Sequence, residues 1–329
     1  MKTKLHFLII ITAFLMSCKK EQHKLPDITL KNYCPEKYQA RSTALPDTLH
    51  KTDAFPITPT TYIFDYQTKY VLDLPVPNPN NPFEFTFLRK LSENIGLNSE
   101  LCTYNFCTNE LKVVTDIVLY GLDWGVNNWL IFTGPQHQIW KIKPDGTGLT
   151  QLTFNSGAPS IRAKWSPNGK MFVYNHFGSL YIADEFGENI ESFNVNSEDW
   201  CWKDNSTILF TQNQGKIQSL DISNGDIEEV YNANSHGMSP ISVDEDNNIY
   251  FNDMQGVYSL SSSGQLTQLD TNYFTFLGFQ PKPFGKDQLL MLRLISDTSE
   301  YENNIVLRSE YLSLFNLNTH EERIINLPE

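Results

Sequence analysis

The chain has 329 residues and a formal net charge of −13, with 25 Lys and Arg against 38 Asp and Glu. An acidic surface of that size repels phosphate backbones, so nucleic acid is excluded as an expected partner. Phe, Tyr and Trp make up 13% of the residues, and Gly, Asn, Asp and Ser punctuate short apolar runs, as in an exported globular protein.

Residues 1–17 read as an address. Lys2 and Lys4 form a charged start, and Leu5 to Met16 is an apolar run too short to span a bilayer comfortably. The run ends in Leu15-Met16-Ser17-Cys18, which resembles the lipobox of bacterial lipoproteins. The resemblance implies cleavage before Cys18, acylation of its sulfur (palmitate) and of the new amino terminus, and hence a stable anchor. The plainer alternative is an ordinary signal peptide that contains a Cys. Lys19 and Lys20 follow, with no Asp at the position that retains lipoproteins in the inner membrane. That points to the outer membrane of a Gram-negative cell, on its periplasmic side or its surface. Removal of residues 1–17 leaves 312 residues and, without Lys2 and Lys4, a charge of −15.

Residues 18–59 hold the modified Cys18 and five prolines with little periodicity, and read as a flexible tether. Residues 60–329 read as one folded body, with Thr60 to Tyr66 a candidate strand completing its last unit. The remaining cysteines are Cys34, Cys102, Cys107 and Cys201. Cys102 and Cys107 are the nearest pair and can bond only if the chain turns at Tyr104-Asn105; the alternative is reduced, buried thiols.

From residue 68 on, one unit recurs. An apolar residue marks its third strand at Leu101, Ile139, Leu180, Ile217, Val257 and Leu312, at intervals of 38, 41, 37, 40 and 55. The long last interval carries an insertion, Ser296 to Asn304. Each mark follows a second strand, and each second strand follows a turn cluster such as Asn78-Pro79-Asn80-Asn81 or Ser166-Pro167-Asn168-Gly169. A fourth strand comes after, as at Asn189 to Phe193. Four short strands every forty or so residues predict an all-β, six-bladed β-propeller of four-stranded antiparallel blades. Five blades follow if the first unit is a separate hairpin, and seven if Ser42 to Tyr66 hides another; a β-sandwich is the other architecture open to such strands. Only Arg89 to Ile95 suggests a helical period. Trp124, Trp165 and Trp202 fall at equivalent positions before the turn clusters and read as wedges between blades.

Ile139-Trp140, Asp145-Gly146, Leu149-Thr-Gln-Leu-Thr153 and Trp165-Ser-Pro-Asn-Gly169 together resemble the WD40-like repeat of TolB-type six-bladed propellers. The match is strong over Ile139 to Tyr174 and partial in the following blades. The resemblance implies the propeller fold and little about activity, because the same repeat accompanies peptidases and sugar lyases. TolB-type chains also carry a sizeable N-terminal α/β domain, which about fifty residues cannot supply here.

In an antiparallel meander the turns between second and third strands share a face with the links between blades. That face is the candidate binding surface: Gln136, His137 and Gln138, Asn175 and His176, Gln212 and Gln214, Asp253 and Gln255, with Trp200 and His236 from the links. Amides, imidazoles and an indole suit peptide or sugar; the alternative is that they serve turn chemistry alone. The related lyases use a His cluster, for which His137, His176 and His236 would be the candidates, but no two stand at ligand spacing and no metal or other cofactor is expected. No Gly-x-Ser-x-Gly and no phosphate-cradling Gly loop occurs, so no catalytic residue is assigned. The expected function is a membrane-anchored, non-catalytic module holding an envelope protein or peptide. The competing expectation is a glycan-binding or metal-dependent, lyase-like carbohydrate-active lipoprotein.

Overall fold

A computed structural model describes residues 42–44, 63–66, 68–94, 99–212, 215–233, 241–253, 256–270, 281–297 and 305–328. Two strands precede the repeat, β1 (Ser42–Ala44) and β2 (Ile63–Tyr66). The first blade is β3 (Tyr70–Pro77), β4 (Glu84–Leu91), β5 (Ser99–Asn105) and β6 (Glu110–Val118). The second is β7 (Tyr120–Trp124), β8 (Leu130–Gly134), β9 (Gln138–Ile142) and β10 (Thr150–Gln151). The third is β11 (Ser160–Trp165), β12 (Met171–His176), β13 (Ser179–Asp184) and β14 (Asn189–Phe193). The fourth is β15 (Asp199–Trp202), β16 (Thr207–Gln212), β17 (Lys216–Asp221) and β18 (Ile227–Asn232). The fifth is β19 (Ile241–Val243), β20 (Ile249–Asp253), β21 (Gly256–Leu260) and β22 (Leu266–Asp270). The sixth is β23 (Lys282–Pro283), β24 (Gln288–Asp297), β25 (Ile305–Asn316) and β26 (Glu322–Ile325).

Within each blade the strands pair antiparallel in chain order. The six first strands touch in a closed circuit, β3 to β7, β11, β15, β19, β23 and back to β3. This is the six-bladed propeller. The sixth blade is enlarged: β1 pairs antiparallel with β26 as a further outer strand, and β2 pairs parallel with β25. Ser42–Ala44, inside the stretch read as a tether, thus joins the sheet of the last blade. The helical period at Arg89 to Ile95 is not realised. Its first residues extend β4 to Leu91, and a single 3-10 turn follows at Ser92–Asn94. Pairing with β3 and β5 satisfies the backbone there, and a seven-residue stretch, about two helical turns, is too short to compete with it. Among the described residues no helix is long and apolar enough to cross a membrane.

The cores lie between blades, one at each contact. Phe172 and Tyr174 of β12 face the second blade, beside Ile131 and Ile139, while Val173 faces the fourth, beside Phe210. In the same way Ile208 and Phe210 pack toward the third blade and Leu209 toward the fifth. A strand whose two faces are both covered must be apolar on both, which is why the middle strands read as unbroken apolar runs rather than alternating ones. Trp124, Trp165 and Trp202 fill the contacts between the first and second, second and third, and third and fourth blades, as expected of wedges. The first blade closes on the sixth through Phe85, Phe87, Tyr104 and Phe106 against Phe284, Leu290 and Leu312. Glu310 of β25 reinforces that closure by accepting the Leu72 N–H of β3 at 2.9 Å.

The turn clusters that mark the repeat have a further role. Asn80 donates to the Val126 carbonyl, Asn127 to that of Gly169, and the Asn168 N–H to Asn205 Oδ1, so successive first turns are hydrogen-bonded from the first blade to the fourth. Gly169 is needed there: its φ is +68°, and a Cβ would fall 2.9 Å from that of Asn127.

The chain does turn after Asn105, yet Cys102 and Cys107 are not joined. Cys102 is a buried free thiol, whereas Cys107 forms a disulfide whose partner lies outside the described residues. Cys102 sits within β5 with its side chain buried in the core between the first and sixth blades.

Candidate functional site

The face formed by second-to-third turns and interblade links separates the anticipated residues into three groups. Gln136 and His137 are exposed on a tight 3-10 turn, Pro135–His137, in which both take positive φ, 60° and 53°. Tyr120 OH lies 3.0 Å from His137 Nδ1 and holds the ring at the start of the second blade. Gln138, Asn175, His176 and Gln212 instead tie down backbone. Gln138 donates to the Asn155 carbonyl and accepts from Thr153 Oγ1 and the Asn155 N–H, fastening the link to the third blade. Gln212 donates to the Val195 carbonyl of the next link, and Asn175 Oδ1 accepts the Gly178 N–H within its own turn. His176 is buried, its Nδ1 3.2 Å from the Pro159 carbonyl.

Trp200 is 1% exposed and belongs to the core between the third and fourth blades, so its indole faces neighbouring side chains rather than solvent. Asp253 ends β20. Cys18, Gln214, His236 and Gln255 lie outside the described residues. Among the described residues no three His, Cys, Asp or Glu side chains gather into a group that could hold a metal.

Two aromatic residues that turn chemistry did not single out dominate this face. Phe154, in the link after the second blade, is 78% exposed, and Phe177, at the β12–β13 turn, is 70% exposed. The ring of Phe177 meets His176 edge-on at 4.7 Å, and a Cβ on Gly157 would stand 3.7 Å from its Cζ, so the turn and the link are side by side. Phe177 has φ of 53°, a conformation a bulky side chain adopts at a cost of about 1 kcal/mol or more.

A second cluster lies on the propeller axis. The first turn of every blade opens with one hydrogen bond, donated by the N–H of Asn78, Gly125, Ser166, Lys203, Asp244 and Phe284 in turn. Counting two residues back gives one equivalent position per blade: Val76, Asp123, Lys164, Cys201, Ser242 and Lys282. The residue between, Trp in three blades, packs against the preceding blade, so alternation sends this set toward the following blade, where Val76 and Cys201 join the interblade cores. Lys164 and Lys282 come from opposite blades, and yet each feels the other's charge, along with those of Asp123, Asp199 and Cys201. The charged side chains Asp123, Lys164, Asp199 and Lys282 are therefore within electrostatic reach of one another.

Local backbone irregularity helps to place them. The first strands of the first three blades each carry a register shift around a residue with left-handed φ, Leu74 (50°), Gly121 (65°) and Arg162 (54°). A β-bulge of this kind re-aims the residues that follow it. At Gly121 a Cβ would lie 2.9 Å from the Cα of Arg162, so successive bulges touch and only glycine fits.

Asp199 Oδ1 is 3.2 Å from Lys164 Nζ, and Asp199 Oδ2 accepts the Ile241 N–H at 2.8 Å. Asp123 Oδ2 accepts the Trp165 N–H at 2.7 Å. Each carboxylate thus bonds a first-strand N–H of the next blade. Burial alone would raise Asp199, but Lys164, then Lys282, and the Ile241 N–H hold it below the usual carboxylate range. Asp123 goes the other way: burial dominates over Lys282 and the Trp165 N–H, and its pKa is raised. Burial and repulsion from Lys164 pull Lys282 down to about 8, against the attraction of Asp199 and Asp123. The Cys201 thiol is pushed up to about 12 by burial, which keeps it protonated and unreactive at neutral pH.

No protein-family model and no curated protein matches the sequence. Solved structures do. A chain of the nidogen/laminin complex aligns with a TM-score of 0.53 at 12% identity, covering 69% of this chain and 89% of its own. A structure assigned to TolB from Agrobacterium tumefaciens aligns with a TM-score of 0.51 at 13% identity, covering 67% of this chain and 86% of its own. The chain has a TolB-like propeller fold. At these identities the likeness is one of fold, and the residues on the face and the axis must speak for function on their own.

Proposed function

We propose that this chain is a membrane-anchored, non-catalytic propeller of the bacterial cell envelope, which holds a protein or peptide on the face bearing Phe154 and Phe177. The observation that carries the reading is that pair: two large aromatic side chains stand mostly in solvent, Phe154 on a link fastened by Gln138 and Phe177 on the adjacent β12–β13 turn. Exposed aromatic side chains on a rigid frame are the usual anchors of protein interfaces, because they cover area at little cost in rotamer entropy. Gln136 and His137 supply adjacent donors and acceptors. A fold shared with a chain of the nidogen/laminin complex is compatible with such a role.

The proposed anchoring rests on the sequence at Leu15 to Cys18, and the proposed location, the outer membrane on its periplasmic side or the cell surface, on Lys19 and Lys20 after it. Metabolic labelling with a palmitate analogue should mark the wild-type chain and leave Cys18→Ser unmarked. Cross-linking in intact envelopes should recover a stoichiometric partner with the wild type, and at least ten-fold less of it with Phe154→Ala/Phe177→Ala. Recovery that ignores the double substitution would remove this face from the reading. Capture of a glycan in place of a protein would transfer the function to the carbohydrate-binding alternative.

A further inference from the structure

Resting on the reading of the Phe154 and Phe177 face as a protein-binding surface, we propose that Arg162 recognises a carboxylate side chain of the partner, beside the apolar groups that cover the two rings. The platform is continuous. The link after the second blade meets the β12–β13 turn where a Cβ on Gly157 would stand 3.7 Å from Phe177 Cζ. That turn meets the link after the third blade where a Cβ on Gly178 would stand 3.8 Å from Asn196 Oδ1. Arg162, on the innermost strand of the third blade, borders this array. It follows Ile161, whose partner across the β11–β12 ladder, Asn175, is two residues before Phe177. Its Nη1 donates to the Glu198 carbonyl, in the link after the third blade, at 3.0 Å.

Arg162 is held firmly and still keeps donors to offer. Its N–H donates to Thr133 Oγ1 of the second blade at 3.1 Å, and its Cα lies 2.9 Å from where a Cβ on Gly121 would stand. Contact with the second blade thus fixes its left-handed φ of 54°. Gln136, His137, Phe177 and Asn196, all on the turns and links around it, have left-handed φ as well, 60°, 53°, 53° and 45°. The Arg162 side chain is exposed, and among the described residues its Nε and Nη2 have no partner and no carboxylate pairs with it. A guanidinium with one edge tied back and the other free is set to meet a planar anion.

Charge selects the partner. Residues 134–138, 153–160, 175–179 and 194–197, the turns and links of this sector, contain no Asp, Glu, Lys or Arg, in a chain where 19% of residues are charged. Arg162 therefore stands against an otherwise uncharged, aromatic surface. A partner that covers Phe177 and the adjoining link also strips water from the guanidinium, and a cation left unpaired under a docked surface opposes binding. A carboxylate on its free edge removes that cost with two parallel hydrogen bonds, whereas a neutral or cationic segment is penalised. The anion is a side chain rather than a chain terminus. Termini are captured by clusters of free main-chain N–H groups. Those nearest Arg162 are taken: its own by Thr133, those of Glu198 and Asp199 by Thr211, and that of Gly178 by Asn175 Oδ1.

The test selects random internal peptide segments, displayed on phage, for binding to the full chain, and then measures each enriched segment against purified variants. Segments that bind at least ten-fold more weakly to Phe154→Ala/Phe177→Ala are expected to carry Asp or Glu within about four positions of an apolar residue, the reach of a short extended stretch. For these, Arg162→Met in the protein and the matching amide in the peptide should each weaken binding at least five-fold. The two changes together should weaken it no more than either alone, as a direct pair requires. Arg162→Glu should instead enrich segments with Lys or Arg. Segments that depend on the two rings yet bind Arg162→Met with unchanged affinity, or losses that simply multiply, would overturn the role of Arg162 and leave the protein-binding face standing. Absence of any segment that depends on the rings would remove the face, and this inference with it. Should Arg162→Met fail to fold, dicarbonyl labelling of the unmutated protein can be read arginine by arginine by mass spectrometry. A bound segment is then expected to protect Arg162 at least three-fold and to leave Arg323 unchanged, and equal labelling of Arg162 would refute the contact.

Discussion

The two faces of the disc are built differently. On the face of the first turns, side-chain amides and backbone of Asn80, Asn127 and Asn168 reach across to the next blade. On the opposite face, Gln138 fastens the link between the second and third blades and Gln212 the link between the third and fourth, and Phe154 and Phe177 are left in solvent. The same residue types, amides in turns, thus stitch one face and support a platform on the other. Phe186, 72% exposed at the β13–β14 turn, also stands in solvent on the face of the first turns, so the contrast lies in how turns and links are fastened and in the side-by-side placing of Phe154 and Phe177.

The largest effect that would sharpen this contrast belongs to the wedges. Trp165→Ala leaves a cavity between the second and third blades and is expected to destabilise the propeller by about 3–5 kcal/mol in urea unfolding. Asp199→Ala strips Lys164 and the Ile241 N–H of their partner on the axis, for a loss of about 3 kcal/mol. Asn127→Ala removes one bond between first turns, about 1 kcal/mol by the same measurement. Phe154→Ala and Phe177→Ala should change stability by no more than about 0.5 kcal/mol, since neither side chain is buried. A loss above about 2 kcal/mol at either Phe would erase the distinction between the faces.

The axis adds a pH signature that neither face has. The folded Lys282 titrates near 8, against 10.5 for an ordinary lysine. Between those values the unfolded chain binds the more protons, so stability contributed through Lys282 rises with pH across that window. Lys282→Met should flatten the rise in a series of unfolding curves from pH 8 to 10. Asp199 has the opposite placement: its folded pKa is lowered, so its contribution is present above the carboxylate range and is lost on acidification.

Much of the architecture was legible along the chain because it is local. The turn cluster Ser166-Pro167-Asn168-Gly169 announces itself by residue type, and Asn189 to Phe193 was delimited as a fourth strand with the bounds it has in the fold. The candidate face was legible as a set of turns but not in its details. Gln138 and Trp200 look alike as polar or aromatic residues near turns, yet one straps a link and the other fills a core. Exposure depends on which neighbour arrives, and that neighbour is another blade. Phe177 is legible as part of the Asn175-His176-Phe177 turn, whereas Phe154 is not, because an aromatic residue beside a strand end ordinarily points inward.

What the sequence determined by itself was the blade: its length, its turns, and the apolar runs that demand cover on both faces. Only the closed ring decided which residues meet. Asp123, Lys164, Asp199 and Lys282 come from four different blades, and no local preference indicates that their charges interact. Charges in otherwise apolar first strands, two residues before each turn, were the one available sign. Their interaction is a product of six-fold closure, which brings within reach of one another groups that electrostatics between neighbours in sequence would never assemble.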